Sequence, residues 1–283
     1  MKFGVNTFIW SDRFDRSHLP LLVRVKQAGF DGIEVPLFDP RAARDPEIKR
    51  ALEAEQLACN FCAVLPPGLN TVDDDAGIRA KARAHWEACI KTAAEMGGKL
   101  IAGPLYAPVG YLPGRRRTPD EWERAVECFQ ALAPVLEDSG VTLAIEPLNR
   151  YETYFLNTAA DAARLCKEID HPSVGILFDT YHANIEEKHV PNAILEAGPY
   201  LRHFHACEND RGTPGSGHVP WPAVFDSLRK VKYDRWLTIE SFGFSLGALS
   251  AAASIWRDLA ATPETIAFEG VQFLKNEAKC LSR

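Results

Sequence analysis

Glu146, Asp179, His205 and Glu240 each close a short apolar run in the second half of the chain: Val141–Glu146, Val174–Asp179, Leu201–His205 and Trp236–Glu240. Three carboxylates and an imidazole are side chains from which a divalent cation site is built. Successive members are separated by roughly 30 residues, the length of one strand plus its returning helix in a parallel α/β fold. If the four strands are neighbours in one sheet, all four groups emerge at the same rim. Taken singly, each has a plainer reading, because a carboxylate after a strand can cap the next helix and a lone histidine can be a hydrogen-bonded core residue. Four in succession weaken that reading, since crowded carboxylates raise one another's pKa unless a cation compensates them. Three oxygen donors, one nitrogen and no thiolate suit Mn²⁺, Mg²⁺ or Co²⁺ better than structural zinc. One or two positions on such an ion stay open for a substrate that chelates through adjacent oxygens.

The elements that must position these groups follow from the pattern of apolar runs. Strands are expected at Phe3–Phe8, Gly32–Leu37, Ala58–Val64, Lys99–Gly103, Val141–Glu146, Val174–Asp179, Leu201–His205 and Trp236–Glu240. Between them lie helical patterns at His18–Ala28, Asp45–Gln56, Ile78–Met96, Pro119–Ser139, Thr158–Ile169, Pro191–Ala197, Trp221–Val231 and Ser254–Lys279. Strict alternation of strand and helix over residues 1–283 predicts a single-domain α/β protein, a closed parallel (β/α)8 barrel. Thr118-Pro119-Asp120-Glu121 and Asp45-Pro46-Glu47 carry helix-start signals, and Gly29, Gly97-Gly98 and Gly140 follow helical stretches where a left-handed residue ends a helix. Two rim loops, 105–117 and 206–220, exceed what the barrel needs and follow strand C-termini, the end on which barrel enzymes build their sites.

Strands 5 and 8 lie three steps apart around such a barrel, so Glu146 and Glu240 approach the pocket from roughly opposite sides. A chelated hydroxyketone between them would show one face of a carbon to each carboxylate. That geometry suits epimerisation, in which one glutamate removes the proton beside the carbonyl, the ion stabilises the enediolate, and the other glutamate delivers a proton to the opposite face. Ligation lowers a carboxylate's basicity, but the same ion acidifies the carbon acid.

Four motifs stand out: Ile145-Glu146-Pro-Leu-Asn-Arg150-Tyr-Glu152 with Leu156-Asn-Thr158; Phe178-Asp179-Thr-Tyr-His182-Ala-Asn-Ile-Glu186-Glu187; His205-x-x-Glu208-x-x-Arg211-Gly-x-Pro-Gly-x-Gly217; and Ile239-Glu240-Ser-Phe242. Together they resemble the ketose 3-epimerase family, which includes the D-tagatose, D-psicose and L-ribulose 3-epimerases of the xylose-isomerase-like barrel superfamily. The resemblance implies one Mn²⁺-type ion held by Glu146, Asp179, His205 and Glu240, with the two glutamates as the proton-transfer pair. It also implies that Glu152, His182 and Arg211 hold the substrate's oxygens near C1 to C3. Trp10 and Phe242 are expected to wall the pocket. The chain departs from tagatose-type enzymes on strand 1, where Gly4 is followed by Val5, Asn6 and Thr7 before Phe8-Ile-Trp10. By resemblance the protein is a homodimer or homotetramer acting on a free ketose. The alternatives are an aldose-ketose isomerase of hydroxypyruvate isomerase type or an inosose dehydratase, and, in a different class, an endonuclease IV-like nuclease.

Composition bears on these classes. The chain is 46% hydrophobic and 25% charged, with a formal net charge of −6, which offers no electrostatic footprint for a phosphate backbone. Nucleic acid is therefore not an expected partner, and neither is a membrane, since no segment approaches about 18 uninterrupted apolar residues. The start, Met1 to Phe8, runs straight into a strand-like pattern without a signal-type apolar region, so a cytoplasmic location is expected. The seven cysteines are scattered; Cys59-x-x-Cys62 lies in an apolar run with no second pair, and reduced core thiols are expected. Arg115-Arg116-Arg117 is read as a solvated run before the Thr118 helix start rather than a phosphate clamp, since no glycine nest accompanies it.

Overall fold

In the computed structural model, which describes residues 1–243 and 247–280, eight parallel strands close on themselves. They are β1 (Lys2–Asn6), β2 (Gly32–Pro36), β3 (Ala58–Cys62), β4 (Leu100–Gly103), β5 (Thr142–Ile145), β6 (Val174–Asp179), β7 (Leu201–His205) and β8 (Trp236–Ile239). Each pairs with its successor, and β8 returns to β1 through Lys2–Trp236, Phe3–Leu237, Gly4–Thr238 and Val5–Ile239. The expected closed (β/α)8 barrel is the observed fold.

Alternation along each strand divides the residues between two environments. Outward residues such as Ile33, Phe61, Ile101, Leu143, Ile176, Phe204 and Leu237 join one large core with the surrounding helices. Inward residues form a small plug in the lower barrel, where Leu100, Ala102, Ala144 and Leu177 pack with Trp236. Above that plug the inward positions turn polar.

The helices are α1 (Leu19–Ala28), α2 (Pro46–Ala54), α3 (Ala76–Glu95), α4 (Pro119–Ala131), α5 (Ala133–Ser139), α6 (Ala159–Ile169), α7 (Thr180–Glu186), α8 (Val190–Ala197), α9 (Trp221–Lys230), α10 (Ala248–Ala252) and α11 (Gly270–Cys280). Three departures from expectation have local causes. The stretch Pro119–Ser139 breaks at Leu132, because Pro134 lacks the N–H that a continuous helix would need there and instead sits in the first turn of α5. A short helix, α7, starts directly after β6 because Asp179 caps it, its carboxylate accepting from Tyr181 N at 2.7 Å. The C-terminal helical stretch is shorter than Ser254–Lys279: a π-helical turn over Thr265–Glu269 leads into α11, and α10 lies earlier in the β8 loop.

Where start signals were read, the caps are present. Thr118 and Glu121 form a reciprocal capping box at α4, and Asp45 accepts from Glu47 N at α2. Arg115 and Arg117 are not free for a phosphate. Arg115 makes two hydrogen bonds to Glu121 at 3.0 and 2.9 Å, while Arg117 binds Phe155 O and Asp161 and lies over the Trp122 ring. Cys59 and Cys62 are both buried and unpaired; three positions apart on a strand, they face opposite sides of the sheet.

The β5 end that carries Glu146 is pinned to β4 by Glu146 N donating to Gly103 O at 2.9 Å. Gly103 holds φ at 135°, and a Cβ there would lie 2.2 Å from Ala63 O. Gly103→Ala is therefore expected to destabilise the protein by at least about 2 kcal/mol through backbone strain and clash. A thermal-unfolding midpoint equal to that of the unsubstituted protein would contradict this reading.

Candidate active site

At the C-terminal rim of the barrel, Glu146, Asp179, His205 and Glu240 each present one ligand atom, and the four atoms lie within 4.8 Å of one another. All four residues are buried. Asp179 and His205 end β6 and β7; Glu146 and Glu240 follow β5 and β8 by one residue. The β6–β7 pairing contains a bulge, stepping from Ile176–Leu201 to Leu177–His203 and leaving Arg202 unpaired. Above the bulge, Asp179 pairs directly with His205.

Two buried atoms of this cluster, Glu146 Oε1 and His205 Nδ1, lack a hydrogen-bond partner among the described residues. Orphaned lone pairs of a carboxylate and an imidazole, facing two further carboxylates, fit a cation. His205 Nδ1 lies 3.4 Å from Glu240 Oε2 and 3.7 Å from Asp179 Oδ2. The donor set of the expected ion is thus gathered in one place.

Arg211 supplies the positive charge nearest to these carboxylates. Its Nη1 donates to Asp179 Oδ2 at 2.6 Å and to Glu240 Oε2 at 2.9 Å, and its guanidinium stacks on Tyr181, 4.1 Å from the ring centre. The residue adopts φ 67°, an uncommon conformation for a non-glycine residue and one that recurs at functional sites. Its loop is held by Glu208, whose carboxylate accepts from Asn209 N, Gly215 N, Val219 N and Trp221 Nε1. Burial would raise the Asp179 carboxyl, but Arg211 and the two neighbouring imidazoles hold it well below the usual range. Glu146 goes the other way: burial first, then the Glu240 charge, push it well above the ordinary carboxylate value.

His182 and Glu152 complete the polar wall. His182 accepts from Asn149 N through Nδ1 at 3.1 Å, and its Nε2 lies 3.1 Å from Arg211 Nη2 and 3.6 Å from Glu146 Oε1. Burial lowers the His182 pKa to about 3, so the ring is neutral. Asn149 also donates to Glu152 at 2.7 Å, tying these two side chains to one loop. The cavity, about 130 Å³, is lined on one side by Glu146, Glu152, His182, Arg211 and Glu240, and on the other by Phe8, Phe38, Cys62, Val64, Phe242 and Leu249.

Phe242 lines this cavity, stacked on Phe8 at 5.5 Å. Trp10 does not line the cavity. Its indole donates to Glu264 at 3.2 Å and its ring packs against Phe268. The cause is the end of β1: Asn6 accepts from Phe8 N and starts a 3₁₀ turn over Thr7–Ile9, so strand alternation stops and Phe8 takes the wall position. Tyr106 is fully buried and bonds to Leu156 O, away from the wall.

Sequence reasoning missed the layer beneath the cluster. Glu34, fully buried on β2, accepts from His205 Nε2 at 2.9 Å and His203 Nε2 at 2.7 Å. Its pKa is lowered: burial opposes ionisation, but the two imidazoles overcome it. Binding Glu34 through Nε2–H turns His205 Nδ1 toward the carboxylate cluster, the arrangement of a second carboxylate behind a metal-binding histidine. Asn6 Nδ2 bridges Glu34 Oε1 at 3.0 Å and Glu240 Oε1 at 3.1 Å. The signals were there: an acid inside an apolar strand at Gly32-Ile-Glu34, and a second histidine two residues before His205, on the same face.

A family profile described as xylose isomerase-like TIM barrel matches residues 22–277. A probable ketose 3-epimerase of Synechocystis sp. is 38% identical, with 97% of this chain and 96% of that protein covered. A D-psicose 3-epimerase of Agrobacterium fabrum is 32% identical over 92% of this chain and 91% of that protein. The crystal structure of a D-allulose 3-epimerase from Methylomonas sp. superposes with a TM-score of 0.92 at 28% identity, covering 98% of both chains. With the barrel and its rim cluster already in view, these likenesses identify the chain as a member of the xylose isomerase-like TIM barrel family and, within it, of the isomerase-class ketose 3-epimerases.

Proposed function

We propose that this enzyme inverts C3 of a free ketose by passing protons between the sugar and two glutamates, Glu146 and Glu240. The observation that carries this reading is the arrival of both carboxylates at one cavity from strands three positions apart around the barrel. Opposed bases are what inversion at carbon requires, because the proton leaves one face and returns to the other. One divalent ion, Mn²⁺ first and Co²⁺ or Mg²⁺ as alternatives, would be held by Glu146, Asp179, His205 and Glu240. When bound, such an ion supplies Lewis-acid stabilisation of negative charge on the substrate's oxygens.

The remaining work falls to the chain's own side chains. Arg211 can donate to an oxygen that gains charge, and the neutral His182 ring lies beside it on the cavity wall, its Nε2 3.1 Å from Arg211 Nη2. Glu152 can accept from a hydroxyl, held for that purpose by Asn149. Phe8, Phe38 and Phe242 exclude water from the opposite wall. An elevated pKa suits Glu146 to proton transfer, since a more basic carboxylate is a better acceptor for a proton on carbon. The motif resemblance also leads us to a homodimer or homotetramer, and a cytoplasmic location is proposed with it; among the described residues no helix is long and apolar enough to cross a membrane.

The test is direct. Purified protein incubated with Mn²⁺ and fructose, tagatose, ribulose and xylulose in deuterated water is expected to yield the C3 epimer of at least one, with deuterium at C3. All four sugars returning unchanged and unlabelled would sink the proposal. Glu146→Gln and Glu240→Gln are each expected to lower turnover by at least about 100-fold; full activity in the Glu240 variant would instead indicate a one-base isomerase, and the product would then be an aldose. The layer below the cluster gives a second test, with binding as its readout. Glu34→Gln is expected to weaken Mn²⁺ binding by about 10- to 100-fold in calorimetric titration of metal-free protein, because the amide cannot accept from both imidazoles. Unchanged affinity would show that His205 does not depend on Glu34.

A further inference from the structure

The opposite, N-terminal end of the barrel holds a second cavity, about 290 Å³, with the reverse electrostatic character. Lys2, Lys99, Arg202 and Arg235 all line it. Not one of the four pairs with a carboxylate among the described residues. Lys99 Nζ reaches only Ser139 O at 3.4 Å, Arg202 Nη1 only the carbonyls of Pro199 and Leu201 at 3.2 and 3.4 Å, and Lys2 lies over the Trp236 ring at 5.4 Å. The carboxylate in the lining, Asp234, is taken by the amino terminus of Met1. Burial, and next the charge of Arg235, push the Arg202 guanidinium below its ordinary value. Lys2, Lys99 and Arg235 are exposed and Arg202 is half-buried, so four like charges meet around this recess with solvent as their compensation among the described residues.

Two features show that the cavity is built rather than incidental. Arg202 is the unpaired residue of the β6–β7 bulge, and it enters the cavity across Gly175, where a Cβ would lie 2.2 Å from Arg202 Cγ. Any larger residue at 175 would displace that guanidinium. Asn60, inward-facing on β3 and only 4% exposed, lines the same cavity, and its side-chain amide has no hydrogen-bond partner among the described residues. That amide opens onto the cavity rather than being sealed from it, so it is a donor available to whatever fills the recess.

We propose that this N-terminal cavity binds a small multivalent oxyanion, either free phosphate or the phosphate group of a phosphorylated metabolite. Guanidinium and ammonium donors recognise phosphate oxygens, Arg202 and Arg235 by paired N–H groups and Lys2 and Lys99 as point charges. Asn60 can donate to a further oxygen from the floor. A nucleic-acid backbone does not fit, because the cations ring a recess rather than a stripe and the chain as a whole carries a net charge of −6.

Isothermal titration with inorganic phosphate, at ionic strength held constant with potassium chloride, is expected to show saturable binding. Lys99→Glu combined with Arg235→Glu, both on exposed side chains, is expected to weaken that binding at least about tenfold while C3 exchange in the ketose assay stays unchanged. Arg202→Gln is expected to do the same, with the exposed pair as the variant that keeps the test valid should Arg202 prove necessary for folding. A parallel titration with fructose 6-phosphate separates the sources: tighter binding of the ester assigns the site to a phosphorylated metabolite, tighter binding of the free anion to phosphate itself. Absence of saturable binding, or binding that survives both substitutions and so belongs to the metal cluster, would overturn the proposal.

Discussion

The structure turns on the repulsion among three buried carboxylates at one end of the barrel. Glu146, Asp179 and Glu240 each present an oxygen within a space under 5 Å across, at positions almost closed to water. In a low-dielectric setting such charges cannot coexist uncompensated, and proteins answer either by protonating one group or by supplying positive charge. Both answers are visible here. Glu146 is pushed toward its protonated form while Arg211 compensates Asp179 and Glu240. That single arrangement accounts for the strained backbone of Arg211, for the Glu208 carboxylate that braces its loop, and for the orphaned lone pairs of Glu146 and His205.

Precision in such a cluster comes from the barrel rather than from the loops. Strand pairing delivers Asp179 opposite His205, and the Gly103 carbonyl anchors Glu146. Across the barrel, Glu34 receives both His203 and His205, and Asn6 passes the constraint on to Glu240. Thus β1, β2, β7 and β8 share one hydrogen-bonded layer beneath the cluster. A ligand side chain held from below by a buried, ionised partner loses little entropy when it binds a cation, which is how a rigid site gains affinity without additional ligands.

Which parts of this were legible in the chain depends on how local their causes are. The four cluster residues stood out because each is a ligand-type side chain closing an apolar run, and alternation alone ordered their strands around a rim. Glu34 does not close its run; Val35 and Pro36 follow it, and its partners lie on β7, across the barrel and far along the chain. Only closure of the sheet creates that contact. Trp10 was expected at the wall by resemblance to enzymes that carry aromatics soon after strand 1, and a resemblance does not register the turn that Asn6 caps, which gives that position to Phe8. The break at Pro134 was readable from proline's missing donor, whereas α10 sits in a rim loop with no polar start signal, and its N-cap is Gly247 without a side chain to read.

The two ends of the barrel interior are electrostatic opposites, and the plug between them lets them remain so. Leu100, Ala102, Ala144 and Leu177, closed off by Trp236, separate the carboxylate rim from the cationic floor. Trp236 lies flat enough for Lys2 to rest on its ring, with Gly4 and Gly32 leaving room for the indole: a Cβ at Gly32 would lie 2.8 Å from Trp236 Cη2. Were the interior polar throughout, arginines and lysines below would draw the carboxylates above into internal salt bridges, and neither set would keep an unsatisfied charge to offer a ligand. An apolar layer a few residues thick prevents that neutralisation, because desolvating a charge to cross it costs more than the pairing returns. The same alternation of side chains that closes the barrel therefore keeps opposite charges apart, and only the residues at the strand ends remain free to act on something from outside.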